Sequence, residues 1–204
     1  KIGILGTGQL GSHMACTWAA VGHIVMLGSR DPLKSQDIVQ KILSPAGYIG
    51  FGGEKTPPIS NVAQVSLSGT DYLGALDADV IVLATPFHAT SAVLMSLGSK
   101  LKGKTVIDAT NPFYSGHGLP PGQPWNSAIE YHRSLFDDDS IHWATGYKTV
   151  YWTKIIPGSS GVSFDTCGDA MATALVAELA SSHGFRANDR GGFEHAAALE
   201  PGRR

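Results

Sequence analysis

The sequence has 204 residues, of which 43% are hydrophobic and 16% charged, and its formal net charge at pH 7 is −2. This composition is typical of a globular protein, and the small net charge gives no reason to expect nucleic acid or an acidic membrane as a partner. No apolar run approaches the roughly 20 residues that cross a bilayer. Cys16 and Cys167 lack metal-ligand spacing and are expected to be buried thiols, which favours a reducing, cytoplasmic location.

The first elements predict a strand, a turn, a helix and a second strand. KIGIL is an apolar strand, residues 6–11 form a glycine-rich turn, and apolar residues then recur at helical spacing over residues 9–21. HIVMLGS is a second buried strand. Asp31 and Pro32 supply an N-cap and a proline at the first helical position of a helix that reaches about Leu43.

Residues 44–60 break this pattern, because they are rich in glycine and proline and show no hydrophobic period. We expect a surface insertion without regular structure. Long loops of this kind are uncommon in compact domains, and some of them act as lids over a site.

The remaining chain alternates strands and helices. AQVSL, ADVIVLAT and KTVIDAT are predicted strands, and residues 126–204 are expected to extend the sheet and add C-terminal helices, with Asp169 capping the last clear helix. Such alternation predicts an α/β fold, a Rossmann-type doubly wound, mainly parallel sheet with helices on both faces. We expect one domain over residues 1–204.

The turn after the first strand carries the pattern GxGxxG, with Gly6, Gly8 and Gly11. Gly6 permits the tight turn, Gly8 lets the backbone approach a pyrophosphate, and Gly11 lets the helix pack close to the strand. The N–H groups at the helix N-terminus favour phosphate binding. The alternative is a glycine-rich turn that holds no ligand.

The end of the second strand indicates which dinucleotide is bound. An NAD site usually places a carboxylate there to bind the ribose 2′-hydroxyl, whereas this sequence has Ser29 and Arg30. Arginine binds phosphate with charge-assisted hydrogen bonds, so these residues, with Lys34, predict binding of NADP(H) through its 2′-phosphate. The alternative is that Arg30 is a solvated surface residue.

Several stretches carry a resemblance to a known family: IGILGTGQLGS, GSRDP, ADVIVLATP, LKGKTVIDATNP and NSAIEYHRSLF. In this order the chain resembles the coenzyme F420-dependent NADP reductases. It is also similar to the N-terminal reductase domain of the STEAP metalloreductases and, more distantly, to pyrroline-5-carboxylate reductase. The resemblance implies a small-molecule redox partner and allows a homodimer.

The resemblance also implies which residues lie beside the cofactor. Thr7, Gln9 and Leu10 would belong to the phosphate turn. The nicotinamide half of the site would be formed at the ends of the fourth and fifth strands by Thr85, Pro86, Phe87, His88, Asn111 and Pro112. Independently, ligands of open α/β sheets bind at the carboxyl ends of the strands.

One stretch departs from the family pattern. The family usually carries Val-Lys-Ala-Phe-Asn-Thr beside the acceptor, and the counterpart here, at residues 144–149, places Tyr147 and Lys148 there. With His88, these two are the candidate catalytic residues.

Three functions remain open. The first is hydride transfer between NADP(H) and a flat acceptor, a flavin or deazaflavin as second substrate, which needs positioning rather than a strong acid or base. The second is reduction of a C=N or C=O bond in a small metabolite, which needs a proton donor such as His88, Tyr147 or Lys148. The third is a binding module that senses NADPH without turnover. No metal site is predicted.

Overall fold

The computed structural model describes residues 1–50, 55–112, 118–122 and 124–202. Its main sheet has six parallel strands in the order β3-β2-β1-β4-β5-β6, the strand order of the dinucleotide-binding Rossmann fold. The strands are β1 (Ile2–Leu5), β2 (Ile24–Ser29), β3 (Ser66–Asp71), β4 (Val80–Leu83), β5 (Thr105–Asp108) and β6 (His142–Thr145). The predicted fold class is confirmed. The third strand begins later than predicted, because residues Val62–Gln64 form a short 3-10 helix before it.

Helices cover both faces of the sheet, and each face has its own core cluster. The helices are α1 (Gln9–Ala20), α2 (Pro32–Leu43), α3 (Phe87–Leu97), α4 (Ala128–Arg133) and α5 (Ala170–Ser182). Buried residues of α1, α2 and α5 form one cluster, and those of α3 and α4 form the other. This arrangement leaves the carboxyl ends of the strands as the edge at which loops meet.

The last third of the chain does more than extend the main sheet. β6 joins that sheet, whereas β7 (Ser163–Thr166) and β8 (Arg186–Asp189) pair with each other in a separate two-stranded parallel sheet. Asp169 lies at the N-cap position of α5, but its side chain makes no capping bond there. It accepts a hydrogen bond from the Trp143 amide at 2.7 Å instead, which protects the outer edge of β6. The capping prediction was therefore wrong.

The glycine- and proline-rich insertion at residues 44–60 is more regular than predicted; residues 51–54 of it lie outside the described residues. Its stem is a short hairpin in which the Thr56 amide donates to the Tyr48 carbonyl at 2.8 Å and the Tyr48 amide donates to Thr56 Oγ1 at 2.9 Å. Cys16 Sγ on α1 donates to the Pro57 carbonyl at 3.3 Å. The bond from Cys16 spans 41 positions of sequence, so a local hydrophobic period could not reveal it.

Candidate functional site

The glycine turn between β1 and α1 is tight at two positions and open at the third. A Cβ at Gly6 would lie 2.5 Å from the Ala84 carbonyl oxygen, and one at Gly11 would lie 2.0 Å from that of Gly6. Around a Cβ at Gly8 nothing lies within 4 Å. The turn therefore packs the helix closely against the strands and leaves space at the one glycine where a pyrophosphate has to approach the backbone.

The N-terminus of α1 faces this open position. Its N-cap residue is Gly8, and no side chain caps it. Ser12 is turned inward, with its hydroxyl donating to the Thr7 carbonyl at 3.2 Å. Gln9 and Leu10 are half-buried, and the side chain of Gln9 lies against Gly50 of the insertion hairpin. No side chain caps the N-terminus of α1, and a helix N-terminus of this kind favours an anion.

Three predicted residues lie at or just beyond the carboxyl end of β2, at the same edge of the sheet. Arg30 and Lys34 are exposed, while Ser29 is buried and its hydroxyl donates to the Asp31 carbonyl. The Asp31 carboxylate accepts a hydrogen bond from the Leu33 amide at 3.0 Å, which confirms it as the cap of α2. The acidic residue that follows Arg30 is therefore engaged in the helix N-terminus.

Tyr72 is a neighbour of Arg30 that the sequence analysis missed. It follows the end of β3, the strand that pairs with β2, and it is half-buried. Burial raises the pKa of the Tyr72 phenol, and the nearby Arg30 charge acts in the opposite direction. The sequence signal for Tyr72 was its position directly after β3. That position points to Arg30 only once it is known that β3 pairs with β2.

The residues of the loop after β4 and of the first turn of α3 alternate between exposed and buried positions. Pro86 and His88 are exposed, whereas Thr85 and Phe87 are buried. Thr85 Oγ1 lies 2.8 Å from Thr90 Oγ1. The Phe87 ring lies in the packing between α3 and α4, with its centroid 5.3 Å from that of His132.

Beyond β5, Asn111 is half-buried and Pro112 is buried. The Asn111 side-chain amide donates to the Pro201 carbonyl at 3.3 Å. The C-terminal segment of the described chain therefore reaches the end of β5, a contact between residues 90 positions apart that the sequence did not predict.

Tyr147 lies in the core rather than at the open edge. It is 1% exposed, its hydroxyl lies 2.9 Å from His183 Nε2, and its ring centroid lies 4.4 Å from that of Phe164. Burial raises the pKa of its phenol far above the ordinary value. The prediction that Tyr147 faces the substrate does not fit this placement, since the hydroxyl is enclosed by aromatic rings.

Lys148 is also enclosed, and it joins a buried cluster of charged groups that the sequence analysis missed. Its Nζ donates to the Thr110 carbonyl at 2.5 Å and lies 3.4 Å from Glu200 Oε1 and 3.6 Å from Asp108 Oδ1. The other Asp108 oxygen lies 2.8 Å from His132 Nδ1. As with Tyr147, burial removes Lys148 from the list of groups that could reach a substrate directly.

The pKa shifts in this cluster have identifiable causes. Burial alone would raise the pKa of Asp108, but the charges of Lys148 and His132 and the hydrogen bonds from His132 and Thr110 hold it well below its ordinary value. Burial raises the pKa of Glu200, and Lys148 opposes that shift. Lys148 therefore lies between a strongly ionised carboxylate and one whose charge is less favoured.

Over the described ranges, no group of three or more His, Cys, Asp or Glu side chains could hold a metal ion. Nor does any helix there combine the length and apolar character needed to cross a membrane. Cys16 and Cys167 are both buried and free, as predicted.

The strand order, the open glycine turn and the cation beyond β2 define a Rossmann-type dinucleotide-binding protein. Residues 1–112 match the model of the family described as NADP oxidoreductase, coenzyme F420-dependent. The F420-dependent NADP reductase of Methanothermobacter marburgensis is 30% identical over 98% of this chain and 88% of its own length. The chain therefore belongs to the coenzyme F420-dependent NADP oxidoreductase family, and it is an NADP-dependent oxidoreductase.

The chain is also similar to a longer protein and to a solved structure, each at lower sequence identity. The metalloreductase STEAP3 of Rattus norvegicus is 24% identical over 98% of this chain, which spans 36% of that protein. The crystal structure of a hypothetical protein from Sinorhizobium meliloti superposes with a TM-score of 0.76 at 21% identity, covering 100% of this chain and 91% of the other. The latter similarity supports the fold alone.

Proposed function

We propose that this protein transfers hydride between NADP(H) and a flavin- or deazaflavin-type ring such as coenzyme F420. The observation that carries the cofactor choice is the end of β2, where Arg30 is exposed and the adjacent carboxylate of Asp31 is occupied by the Leu33 amide. A guanidinium attracts a 2′-phosphate, whereas a free carboxylate there would repel it and favour a ribose hydroxyl.

The phosphates of the cofactor would be held by the first βα turn and by the residues after β2. The proposed pyrophosphate contacts are Gly6, Thr7, Gly8, Gln9, Leu10 and Gly11. The proposed 2′-phosphate contacts are Ser29, Arg30 and Lys34. Ser29 can donate to the phosphate only if its hydroxyl leaves the Asp31 carbonyl to which it is bonded.

The nicotinamide half would be formed at the ends of β4 and β5. The proposed residues are Thr85, Pro86, Phe87, His88, Asn111 and Pro112. Pro86 and His88 are exposed there, whereas the burial of Thr85 and Phe87 suits them to support the loop from beneath. When bound, NADPH supplies the hydride, and these residues orient the two rings and exclude water.

The class of hydride acceptor is inferred from which candidate proton donors are buried. Reduction of a C=N or C=O bond needs a proton donor near the heteroatom. Of the three candidate donors, Tyr147 and Lys148 are enclosed by the core and by hydrogen-bond partners, and only His88 is exposed. A ring acceptor suits this arrangement, because direct hydride transfer between stacked rings depends on orientation more than on an acid.

The test is a panel of acceptors mixed with the protein and NADPH, followed by the loss of absorbance of the reduced nicotinamide. The panel contains an F420-type deazaflavin, FMN, a cyclic imine and a ketone. In each productive reaction, NADPH, a solvent proton and the oxidised acceptor give NADP+ and an acceptor reduced by two electrons. We expect the ring acceptors alone to react.

Two results would contradict the proposal. Oxidation of NADPH by the imine or ketone alone would show that the enzyme reduces small metabolites. Stoichiometric binding of NADPH with no oxidation by any member of the panel would rule out the proposed class of acceptor. Gly8→Ala serves as the matched control, because its backbone is unstrained at a φ of −73° and it should lose turnover through loss of cofactor binding.

A further inference from the structure

The chain makes an unusual turn directly after β6. Tyr147 has a φ of 59°, and among the described residues it is the only one other than glycine with a positive φ. This left-handed conformation is unfavourable for an aromatic residue and persists only where the surroundings hold it. Here the ring packs between Trp18 and Phe164, and the hydroxyl bonds to His183. The turn directs the next residue, Lys148, toward the end of β5.

The Lys148 ammonium is held by hydrogen bonds and ion pairs near the end of β5. Its side chain is 2% exposed, and its three surrounding acceptors are the Thr110 carbonyl, Glu200 Oε1 and Asp108 Oδ1. Of the three donors of the ammonium, two have acceptors within hydrogen-bond distance, the Thr110 carbonyl and Glu200 Oε1, and Asp108 Oδ1 at 3.6 Å adds an ion pair. A buried cation with such partners holds its neighbours in one geometry, because releasing any of them leaves a charge unpaired in the core.

The loop after β5, the start of α4 and the C-terminal segment are linked through this ammonium. Thr110 precedes Asn111, whose side chain donates to the Pro201 carbonyl at 3.3 Å. Glu200 Oε1, which faces Lys148, also accepts a hydrogen bond from the Ala128 amide at the start of α4, at 2.7 Å. The loop after β5, the start of α4 and residues 200–201 are therefore fastened to one another through a single cation.

We propose that Lys148 and Glu200 are positioning residues for the nicotinamide half of the site. Lys148 acts through the Thr110 carbonyl, which fixes the peptide leading to Asn111, and Glu200 fixes the C-terminal segment against the same loop. This inference rests on the proposed function, in which the residues after β5 lie beside the nicotinamide. The adenosine half lies on β1 and β2, which β4 separates from β5, so it does not depend on this ion pair.

The main variant is chosen so that the charge of the core remains balanced. Lys148→Met alone would leave Asp108 and Glu200 without their cation and could unfold the protein. The double variant Lys148→Met/Glu200→Gln removes one charge of each sign, and the glutamine keeps an oxygen for the Ala128 amide. Glu200→Gln alone is the milder second variant. Lys104→Met is the matched control, because Lys104 Nζ also donates to a carbonyl, that of Ala78, at the opposite end of β5.

The test compares two ligands by titration calorimetry. NADP+ contacts both halves of the proposed site, whereas 2′,5′-ADP carries the adenosine and the 2′-phosphate without the nicotinamide. In the double variant we expect the affinity for NADP+ relative to 2′,5′-ADP to fall by about five-fold or more, which corresponds to the loss of one hydrogen bond. A smaller fall in the same ratio is expected for Glu200→Gln, and none for Lys104→Met.

The ratio separates positioning from mere stability, since a loss of folded protein reduces the binding of both ligands alike. An unchanged ratio in both the double variant and Glu200→Gln would overturn the inference. If wild-type protein bound neither NADP+ nor 2′,5′-ADP, the proposed function would itself be wrong, and that result is distinguishable from failure of the positioning role alone.

Discussion

The Tyr147 hydroxyl and His183 Nε2 form a hydrogen bond of 2.9 Å inside the core, across 36 positions of sequence. Both side chains are buried, at 1% and 2% exposure, and aromatic rings surround them. The bond pairs the Tyr147 hydroxyl with one ring nitrogen of His183, and an unpaired polar atom in such surroundings is destabilising.

Tyr147→Phe should lower stability and leave catalysis unchanged. The variant leaves His183 Nε2 without its partner, which costs about 1–3 kcal/mol in the free energy of unfolding. Urea unfolding measures that loss, and steady-state kinetics with NADPH and a ring acceptor at a temperature where the variant is folded should give a kcat close to that of wild type. A large fall in kcat with unchanged stability would instead identify Tyr147 as a proton donor.

The stability of the protein should fall between pH 6.5 and pH 4 because of His183. Burial lowers the pKa of His183 from 6.5 to about 4 on folding. Between these values the unfolded chain binds a proton that the folded chain does not, so stability present above pH 6.5 is lost as the pH falls, at up to about 1.4 kcal/mol per pH unit.

The measurement for His183 is urea unfolding of wild type and His183→Leu at several values of pH between 4 and 7. The slope of stability against pH should be shallower in the variant. Glu200, whose pKa burial raises, contributes with the opposite sign, but it is present in both proteins and cancels in the difference. Parallel curves would show that His183 titrates normally in the folded state.

Two glycines of the same turn should behave differently when replaced by alanine. Gly11→Ala brings a Cβ to within 2.0 Å of the Gly6 carbonyl oxygen and should destabilise the fold by about 1–3 kcal/mol through overpacking. Gly8→Ala meets nothing within 4 Å, so its unfolding curve should match that of wild type. Its affinity for NADPH should still fall by about ten-fold or more, a loss of 1.4 kcal/mol, because the methyl group occupies the space of the pyrophosphate.

Calorimetry and thermal unfolding of both variants test this contrast. Wild-type affinity of Gly8→Ala for NADPH would mean that the turn does not contact the cofactor. A destabilised Gly8→Ala would mean that the space around Gly8 is smaller in solution than the structure indicates.

Arg30→Ala should weaken the binding of NADPH and spare that of NADH. Loss of a hydrogen bond to a charged group costs roughly 1.5–3 kcal/mol. Arg186→Ala is the matched control, because it removes the same charge from an exposed position on β8. Titration calorimetry with both nucleotides gives the two affinities, and an equal loss for NADPH and NADH would refute a contact between Arg30 and the 2′-phosphate.

The local parts of this protein could be predicted from short stretches of sequence. The β1–turn–α1–β2 unit and the cap at Asp31 depend on neighbouring residues, and the structure confirms them. The paired stem of the insertion at residues 44–60 was not predicted, because its contact with α1 joins Cys16 to the Pro57 carbonyl across 41 positions and leaves no local period.

The sequence by itself determined the parallel α/β fold, the glycine turn and the cation beyond β2, because strand burial, helix capping and turn geometry act over a few residues. Only the tertiary structure decided that Tyr147 and Lys148 face inward and that Glu200 meets Lys148 across 52 positions. A lysine or tyrosine after a strand has the same local pattern whether it faces solvent or core. The choice depends on which partners the rest of the chain places beside it.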